Sequence, residues 1–399
     1  MVFGIILAAA GLPFAAAGLY LLVLALASFR RVRAPRRADP PPRLAVLVPA
    51  HDEEELIARC VESLLAQDYS PSRFRVVVVA DNCSDRTAAV AGGVGAVVME
   101  RRDDRRGKGH ALRWAMDRLL AAAEPPDAVV VVDADSVAEP DLLRHLAATL
   151  AAGADVAQAE YLVLADDSST RSRLVAAAFL LFHRVRFGGR AALGMPASLV
   201  GNGMLFSRRL LETLPWNAFT GVEDLEYTIE LRLAGFRPQY VPAARLAGPV
   251  PHGYRGMRGQ RLRWEGGRWH VVRTRLPQLV GHALRRDPGV LDAALDLAVP
   301  PLGLLAMGTL AGGVVSAAAV ALHVATAWSL SPWLVAVASL TAFVLLGLRS
   351  ARAPASLWLA LLEAPRFLAW KAVTYVSILV GFDPHRWERA ERPAEVAAK

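Results

Sequence analysis

Two aspartates separated by one residue end a run of four valines at 129–132. Asp133 and Asp135 follow a stretch that is typical of a buried strand, whereas a carboxylate rarely stays buried without a partner. In an extended chain, residues i and i+2 point to the same side, so we expect both carboxylates to converge. Converging carboxylates repel each other unless a proton or a cation lies between them. The spacing favours a hard divalent cation such as Mg²⁺, which leaves positions for phosphate oxygens. The alternative is a solvated turn in which Asp135 caps the next helix.

Two other apolar runs also end in polar residues. LAVLVPA (44–50) leads into His51-Asp52-Glu53, and RVVVVA (75–80) leads into Asp81. In open α/β sheets, ligands bind at the carboxyl ends of the strands. We therefore expect these loops and Asp133 to meet at one edge of a sheet.

A fourth group of acids begins a predicted helix in GVEDLEYTIELRLAG (221–235). A carboxylate within hydrogen-bond reach of a hydroxyl can remove its proton, most effectively when its pKa is raised towards neutrality. The helix dipole also favours acids at this end without any catalytic role. We prefer that explanation for Glu226 and Glu230, and we interpret Asp224 as a candidate base.

The elements that position these residues alternate between strands and helices. Apolar runs at 44–48, 75–80 and 128–133 read as strands, and amphipathic segments at 52–67 and 109–123 read as helices. Apolar strands without polar alternation, separated by helices, indicate a mostly parallel sheet covered on both faces. The predicted fold class is therefore α/β.

Two uncharged stretches predict membrane-spanning helices. Residues 1–29 and 297–348 contain no Asp, Glu, Lys or Arg. A bilayer core of about 30 Å needs about 20 apolar helical residues, so the first stretch fits one span and the second fits two. Residues 1–29 resemble a signal peptide as well, but five arginines at 30–37 favour a cytoplasmically anchored span.

These patterns divide the chain into five predicted parts. The segment 358–381 is long enough to span, but Glu363, Arg366 and Lys371 interrupt it, so we expect it to lie along the interface. The parts are an N-terminal transmembrane helix (1–29), a catalytic domain (43–265), an interfacial segment (266–290), a transmembrane hairpin (291–348), and an interfacial helix with a cytoplasmic tail (355–399).

The net charge and the cysteine content limit the classes of binding partner that we expect. The chain has 45 Lys and Arg against 37 Asp and Glu, a net charge of +8, which suits an anionic membrane leaflet or an acidic substrate. The arginines flank hydrophobic segments and form no recognisable nucleic-acid-binding motif, so we expect no nucleic-acid partner. The two cysteines, Cys60 and Cys83, lack a metal-binding spacing and are interpreted as inert thiols.

Seven short motifs together resemble the membrane-bound glycosyltransferases of family 2, the group that includes cellulose, hyaluronan and poly-N-acetylglucosamine synthases. The resemblance covers about 44–265 and implies a GT-A-type nucleotide-sugar-binding domain with transmembrane and interfacial helices. The motifs occur in this order: PAHDEE (49–54), ADNCSDRT (80–87), GKGHAL (107–112), DADS (133–136), GNGMLFS (201–207), EDLEY (223–227) and QRLRW (260–264).

The resemblance also implies roles for individual residues. Asp224 resembles the catalytic base, and Asp135 with Asp133 resembles the pair that binds Mg²⁺ or Mn²⁺. Asp52 departs from the family pattern, in which Asn is common at this position. The residues implied in nucleotide-sugar binding are Pro49, Glu53, Asp81, Lys108, Asp133, Gln260 and Arg263. Those implied in acceptor binding are Trp264, Glu223, Gly201 and Asn202.

The expected function is inverting, metal-dependent transfer of a sugar from a nucleotide-sugar, a UDP-sugar by resemblance, at the cytoplasmic face of the inner membrane. The acceptor is a polysaccharide or a lipid-linked glycan, as in exopolysaccharide or cell-envelope synthesis. The alternative is a single-transfer glycolipid synthase acting on ceramide or diacylglycerol. From other classes, a membrane nucleotidyltransferase or a non-catalytic export subunit stays open. Membrane lipids, and either an export partner or a second copy of the chain, complete the expected partners.

Overall fold

The structure is a computed structural model that describes residues 2–30, 32–33, 35–164, 170–249, 254–369 and 372, and the side chains of 254–265 lie outside this description. The chain forms two compact units. The first comprises Met1–Arg31, Ala165–Met195 and Ala294–Phe382, and the second comprises Val32–Leu164, Pro196–Ala293 and Asp383–Lys399.

The second unit contains a mixed sheet, to which the described residues contribute eight strands in the order β3-β2-β1-β4-β7-β6-β8-β5. Strands β3, β2, β1 and β4 run parallel, as the valine-rich segments predict, and β6 is parallel to β8. Strand β7 pairs antiparallel with β4 and β6, and β5 pairs antiparallel with β8. The strands are β1 Leu44–Ala50, β2 Phe74–Asp81, β3 Val97–Arg101, β4 Ala128–Val131, β5 Val137–Ala138, β6 Val156–Leu164, β7 Met204–Ser207 and β8 Gln239–Pro249.

The valine runs form strands because both faces of the sheet are buried. Val46 and Val130 belong to one apolar cluster, whereas Leu47, Val77 and Val129 belong to the other. All five are fully buried. Helices therefore cover both faces, which explains why these strands carry no polar alternation.

Helices alternate with the strands in the first half of the chain. The helix predicted at 109–123 begins within one residue of the observed one, whereas the helix predicted at 52–67 is shorter in the structure and covers only Ile57–Leu65. The helices are α1 Val2–Ala27, α2 Ile57–Leu65, α3 Thr87–Gly93, α4 Lys108–Leu120, α5 Leu142–Ala151, α6 Thr170–Leu180, α7 Gly188–Ala192, α8 Arg208–Thr213, α9 Glu223–Leu233, α10 Tyr254–Arg285, α11 Leu291–Ala298, α12 Leu302–Ala321, α13 Ser331–Ser350 and α14 Ala355–Ala360.

Helix α9 begins with the acids of the EDLEY motif and is anchored at its other end. The buried guanidinium of Arg232 donates to Asp292 Oδ1 at 2.7 Å and to the carbonyl of Gly289 at 2.6 Å. This charge-assisted contact ties the last turn of α9 to the segment that follows α10.

The first unit contains helices that are long and apolar enough to cross a membrane. Three such helical segments occur among the described residues: Val2–Ala27, Leu302–Ala321 and Ala327–Ser350. They coincide with the two uncharged stretches of the sequence. The predicted boundary at 265–266 falls inside α10, and Ala165–Met195, which the predicted catalytic domain includes, belongs to the first unit.

Close backbone contacts and a buried ion cluster hold the first unit together. A Cβ at Gly189 of α7 would lie 2.1 Å from the carbonyl oxygen of Leu24 in α1, so the two helices pack at a distance that only glycine permits there. Asp296 accepts from Arg186 at 2.6 Å and lies 3.3 Å from Arg190. All three charged residues are buried, so each depends on the others for compensation of its charge.

Candidate active site

Lys108 connects several of the residues that the motifs single out. Its ammonium group donates to Asp133 Oδ1 at 2.5 Å and to the carbonyl oxygen of Gly201 at 2.6 Å. Glu223 Oε1 lies 4.0 Å from the same nitrogen. Burial by itself would lower the pKa of Lys108, but Asp133 and Glu223 outweigh it, so the pKa is raised and the side chain carries its charge.

The GNG loop brings the backbone close to this ammonium group. Gly201 has φ +79°, and a Cβ at this position would lie 3.4 Å from both Lys108 Nζ and Asp224 Oδ2. The carboxylate of Asp224 and the ammonium of Lys108 therefore flank the same glycine. Asn202 is buried and accepts from the backbone N–H of Asp133 at 3.1 Å, while its amide donates to Ser136 at 2.8 Å.

The backbone at Asp133 and Asp135 differs from the extended strand assumed above. Strand β4 ends at Val131, and the N–H of Ser136 donates to the carbonyl of Asp133, which closes a turn. The alternation expected of an extended chain is therefore wrong here, because pairing with β1 stops before Asp133. The carboxylates still interact: burial and then the negative charge of Asp133 raise the pKa of Asp135 to about 6.

Asp224 is half-buried in the first turn of α9, beside a second acid. Burial and then Glu223 raise the pKa of Asp224 to about 7, against the opposing effect of Lys108. A carboxylate with this pKa can accept a proton from a neutral hydroxyl near pH 7. Glu226, on the same helix, is interpreted as an ordinary N-terminal acid.

Asp81 belongs to a buried ion pair that the sequence interpretation missed. Arg101, the last residue of β3, donates to Asp81 Oδ1 at 2.5 Å, and its side chain is 3% exposed. Asn82 donates to the same oxygen at 3.0 Å. Residues 81 and 101 are register partners on neighbouring strands, so only knowledge of the strand pairing could have revealed Arg101.

The first loop lies against the end of β2. His51 Nδ1 lies 2.7 Å from the carbonyl oxygen of Asp81, and Asp52 accepts from the backbone N–H of Ser84 at 2.7 Å. The backbone N–H of Glu53 donates to Thr87 Oγ1 at 2.7 Å. Pro49 is half-buried within β1. These contacts place the polar ends of β1 and β2 together at one edge of the sheet, as predicted.

Two groups of acids could hold a divalent cation. Among the described residues, Asp52, Cys83 and Asp85 have ligand atoms within 4.8 Å of one another. Burial raises the pKa of the Cys83 thiol, and the Asp52 carboxylate is already bonded to Ser84, so this group suits a hard cation poorly. Asp135 is the better fit, because a half-buried oxygen donor beside a second carboxylate gains most from a cation.

The remaining predicted residues fall on α10. Gln260, Arg263 and Trp264 lie in this helix, but their side chains belong to the part that the structure does not describe. Their predicted contacts with the diphosphate and acceptor therefore stay predictions. Both cysteines are free, and burial raises the pKa of Cys60 to about 12.

Comparisons with known proteins identify several relatives. The chain is 27% identical over 249 residues to the probable glycosyltransferase YdaM of Bacillus subtilis (strain 168), covering 59% of this chain and 58% of that protein. It is 28% identical over 283 residues to an N-acetylglucosaminyltransferase of Rhizobium leguminosarum bv. viciae, covering 65% of each. It is 30% identical over 200 residues to the beta-monoglucosyldiacylglycerol synthase of Synechocystis sp., covering 49% of this chain and 41% of that protein.

The chain spans less than two thirds of the length of each of these relatives. Among solved structures, the mannosyltransferase PcManGT from Pyrobaculum calidifontis, in complex with GDP-Man and Mn²⁺, aligns with a TM-score of 0.49 at 20% identity. That alignment covers 84% of this chain and 97% of that one.

Residues 41–267 match the family described as "Glycosyltransferase like family 2". The match covers more than half of the chain and contains the sheet, α4, the GNG loop and the start of α9. It confirms the predicted α/β fold of GT-A type and the predicted glycosyltransferase family. The chain belongs to glycosyltransferase family 2.

Proposed function

We propose that the protein transfers a sugar, with inversion, from a nucleotide-sugar to an acceptor hydroxyl at the cytoplasmic face of a membrane. The donor is a UDP-sugar and the acceptor is a growing polysaccharide or a lipid-linked glycan. The observation that carries this proposal is the cluster around Lys108, in which Asp133, Glu223 and the Gly201 carbonyl surround one ammonium group.

Asp224 is the proposed base. Direct attack of an acceptor hydroxyl on the anomeric carbon inverts its configuration, and the hydroxyl must lose a proton as the bond forms. A pKa of about 7 keeps a large fraction of Asp224 ionised at neutral pH while leaving it basic enough to accept that proton. Its place beside Gly201 and Lys108 supports an acceptor hydroxyl bound at the GNG loop.

Asp135 is the proposed ligand of Mg²⁺ or Mn²⁺, and Asp133 is the proposed nucleotide contact. Lys108 already compensates the charge of Asp133, whereas Ser136, the hydrogen-bond partner of Asp135, is neutral. A bound divalent cation would neutralise negative charge on the donor diphosphate. Lys108 supplies a further positive charge beside Asp133. Asp81 and Glu53 are proposed to bind the nucleoside.

The membrane arrangement follows from the three apolar helical segments. Arginines 30–37 directly after α1 favour a cytoplasmic location for the residues that follow, including the site. Two spans in α12 and α13 then return the chain to the same side. A lipid-linked or membrane-extruded product suits a site that is anchored in this way.

A single-transfer glycolipid synthase is the second candidate. The similarity to a beta-monoglucosyldiacylglycerol synthase supports it, and so do the three apolar segments found among the described residues, which are few for a self-contained polysaccharide channel. The similarity to N-acetylglucosaminyltransferases supports an amino-sugar donor instead.

The test offers labelled UDP-glucose, UDP-N-acetylglucosamine, UDP-galactose and GDP-mannose to membranes that contain the protein. We expect release of nucleoside diphosphate from one UDP-sugar and transfer of label to product. Label that enters the organic phase would favour the glycolipid synthase, and label that stays with a water-soluble polymer would favour the polysaccharide synthase.

Two variants and one matched control make this test specific. We expect Asp224→Asn and Asp135→Ala to abolish nucleoside diphosphate release, while Glu226→Gln, on the same helix as Asp224, retains it. Equal release by all four proteins would refute the assigned roles. Release of pyrophosphate instead would indicate a nucleotidyltransferase.

A further inference from the structure

The segment 216–219 lies along α4, the helix that carries Lys108. Arg113, one turn into α4, donates to the carbonyl oxygen of Trp216 at 3.1 Å. The indole of Trp216 is buried and donates to the carbonyl of Ala218 at 2.9 Å. The segment is therefore held in a defined path before it reaches the start of α9.

Gly109 allows the closest approach between this segment and α4. A Cβ at Gly109 would lie 2.2 Å from the carbonyl oxygen of Ala218 and 3.1 Å from Phe219 Cα. Real Cβ atoms do not come so close to backbone, so glycine is required for the segment to rest on the first turn of α4.

His110 adds a specific side-chain contact next to this approach. Its ring stacks on Phe219 with centroids 4.4 Å apart and an interplanar angle of 11°. The two rings are nearly parallel, which suits a neutral imidazole on an aromatic face. Phe219 is 41% exposed, and the stack on His110 is its principal aromatic contact among the described residues.

We propose that His110 and Phe219 form a positioning pair that sets the location of Asp224 relative to the donor-binding residues. The inference rests on the proposed function. His110 is a positioning residue, because it acts through Phe219 and the backbone that follows rather than on the substrate.

The connectivity explains how the pair acts. Lys108 and His110 belong to the same turn: the first holds Asp133, and the second holds Phe219. Four residues lie between Phe219 and Asp224, and α9 begins at Glu223. One turn of α4 therefore fixes the carboxylate of Asp133 through Lys108. Through His110, the same turn fixes the segment that leads to the proposed base.

The test measures kcat and the donor KM separately, with the UDP-sugar that the wild type uses. We expect His110→Ala to lower kcat about two- to tenfold, the range that loss of an aromatic pair implies, with the donor KM within twofold of wild type. His110→Phe should restore kcat, since it keeps the stack. Phe219→Ala should match His110→Ala, and the double variant should be no worse than either single variant.

Arg118→Ala provides a matched control. Arg118 lies on the same helix, stacks over Trp114 at 3.8 Å and donates to the carbonyl oxygen of Trp114. Its removal should leave kcat unchanged. If His110→Phe were as impaired as His110→Ala, the imidazole itself would matter and the positioning role would be wrong. A raised donor KM with normal kcat would equally overturn it.

A second measurement needs no turnover and separates this inference from the proposed function. We expect amide hydrogen exchange at 220–225 to become faster in His110→Ala than in wild type or Arg118→Ala. Unchanged exchange in that segment would refute the positioning role even if the protein proved to use another donor. If the wild type released no nucleotide but exchange responded as expected, only the proposed function would fail.

Discussion

Lys108 Nζ lies 2.5 Å from Asp133 Oδ1, so the lysine of the GKG turn neutralises the first aspartate of the DADS motif. Among the described residues, Asp133 has a hydrogen-bonded protein cation, whereas Asp135 has the neutral Ser136 as its side-chain partner. Their different roles in the proposed reaction follow from that difference.

The first prediction concerns Lys108. Lys108→Met keeps much of the side-chain length but leaves the charge of Asp133 uncompensated. We expect the donor KM to rise at least tenfold and kcat to fall, because both the donor diphosphate and the GNG loop lose a cation. Lys108→Arg should recover part of the donor affinity. Steady-state kinetics with the active UDP-sugar would measure this, and wild-type kinetics for Lys108→Met would contradict it.

The second prediction concerns pH. Burial and Glu223 raise the pKa of Asp224 to about 7, and the base must be ionised to act. The value of kcat/KM should therefore fall about tenfold per unit as the pH drops below 7, and level off above it. Glu223→Gln removes a charge that raises this pKa, so the falling limb should move to lower pH. A limb that stays in place would show that another group titrates.

The third prediction concerns the cation. Treatment with EDTA should abolish transfer, and Mn²⁺ or Mg²⁺ should restore it. Asp135→Asn should weaken Mn²⁺ binding more than Asp133→Asn does, because Lys108 already compensates Asp133. Electron paramagnetic resonance of free Mn²⁺ measures this without turnover. The reverse order of the two variants would assign the cation to Asp133.

The fourth prediction concerns Arg101. Removing one partner of a buried ion pair leaves the other charge uncompensated, which costs about 3–5 kcal/mol. We therefore expect Arg101→Met to lower the free energy of unfolding of the catalytic domain and to raise the donor KM through displacement of Asp81. Arg102→Met is the control, since Arg102 is the exposed neighbour. Equal thermal stability of the two variants would argue against this role.

The fifth prediction concerns helix packing in the first unit. A Cβ at Gly189 would lie 2.1 Å from the Leu24 carbonyl, whereas a Cβ at Gly188 would meet no atom of the described residues within 4 Å beyond its own helix and chain neighbours. Gly189→Ala should therefore sharply reduce the yield of folded protein in detergent, and Gly188→Ala should leave it unchanged. Size-exclusion chromatography and thermal unfolding would measure the difference. Similar behaviour of the two variants would show that α1 and α7 separate without cost.

The sequence predicts those parts of the fold that depend on local pattern. Unbroken valines at 129–132 and 76–79 identify buried parallel strands, and uncharged runs identify the apolar helices. The antiparallel strand β7 escapes such an analysis, because GNGMLFS gives no sign of which strand it joins. Its pairing with β4 carries Asn202 to the backbone of Asp133, so the missed strand also hid part of the site.

Residues of the candidate site can be predicted where a sequence motif contains them. They cannot be predicted where only the folded chain brings them to their partners. Asp133, Asp135 and Asp224 stand out by spacing and charge. Arg101 and Phe219 lie 20 residues or more from the partners they contact, Asp81 and His110, so no local pattern reveals them. The register of β2 with β3 and the path of the segment 216–219 determine those contacts, and tertiary packing sets both.

Helix α9 is a rigid element about 16 Å long, and it is held at both of its ends. Its first turn carries the proposed base, and its last turn is bound through Arg232 to Asp292, ten residues before the apolar helix α12 begins. A helix resists compression, so a displacement of Asp292 along the axis becomes a displacement of Asp224. The position of the proposed base therefore depends on a contact made 68 residues further along the chain.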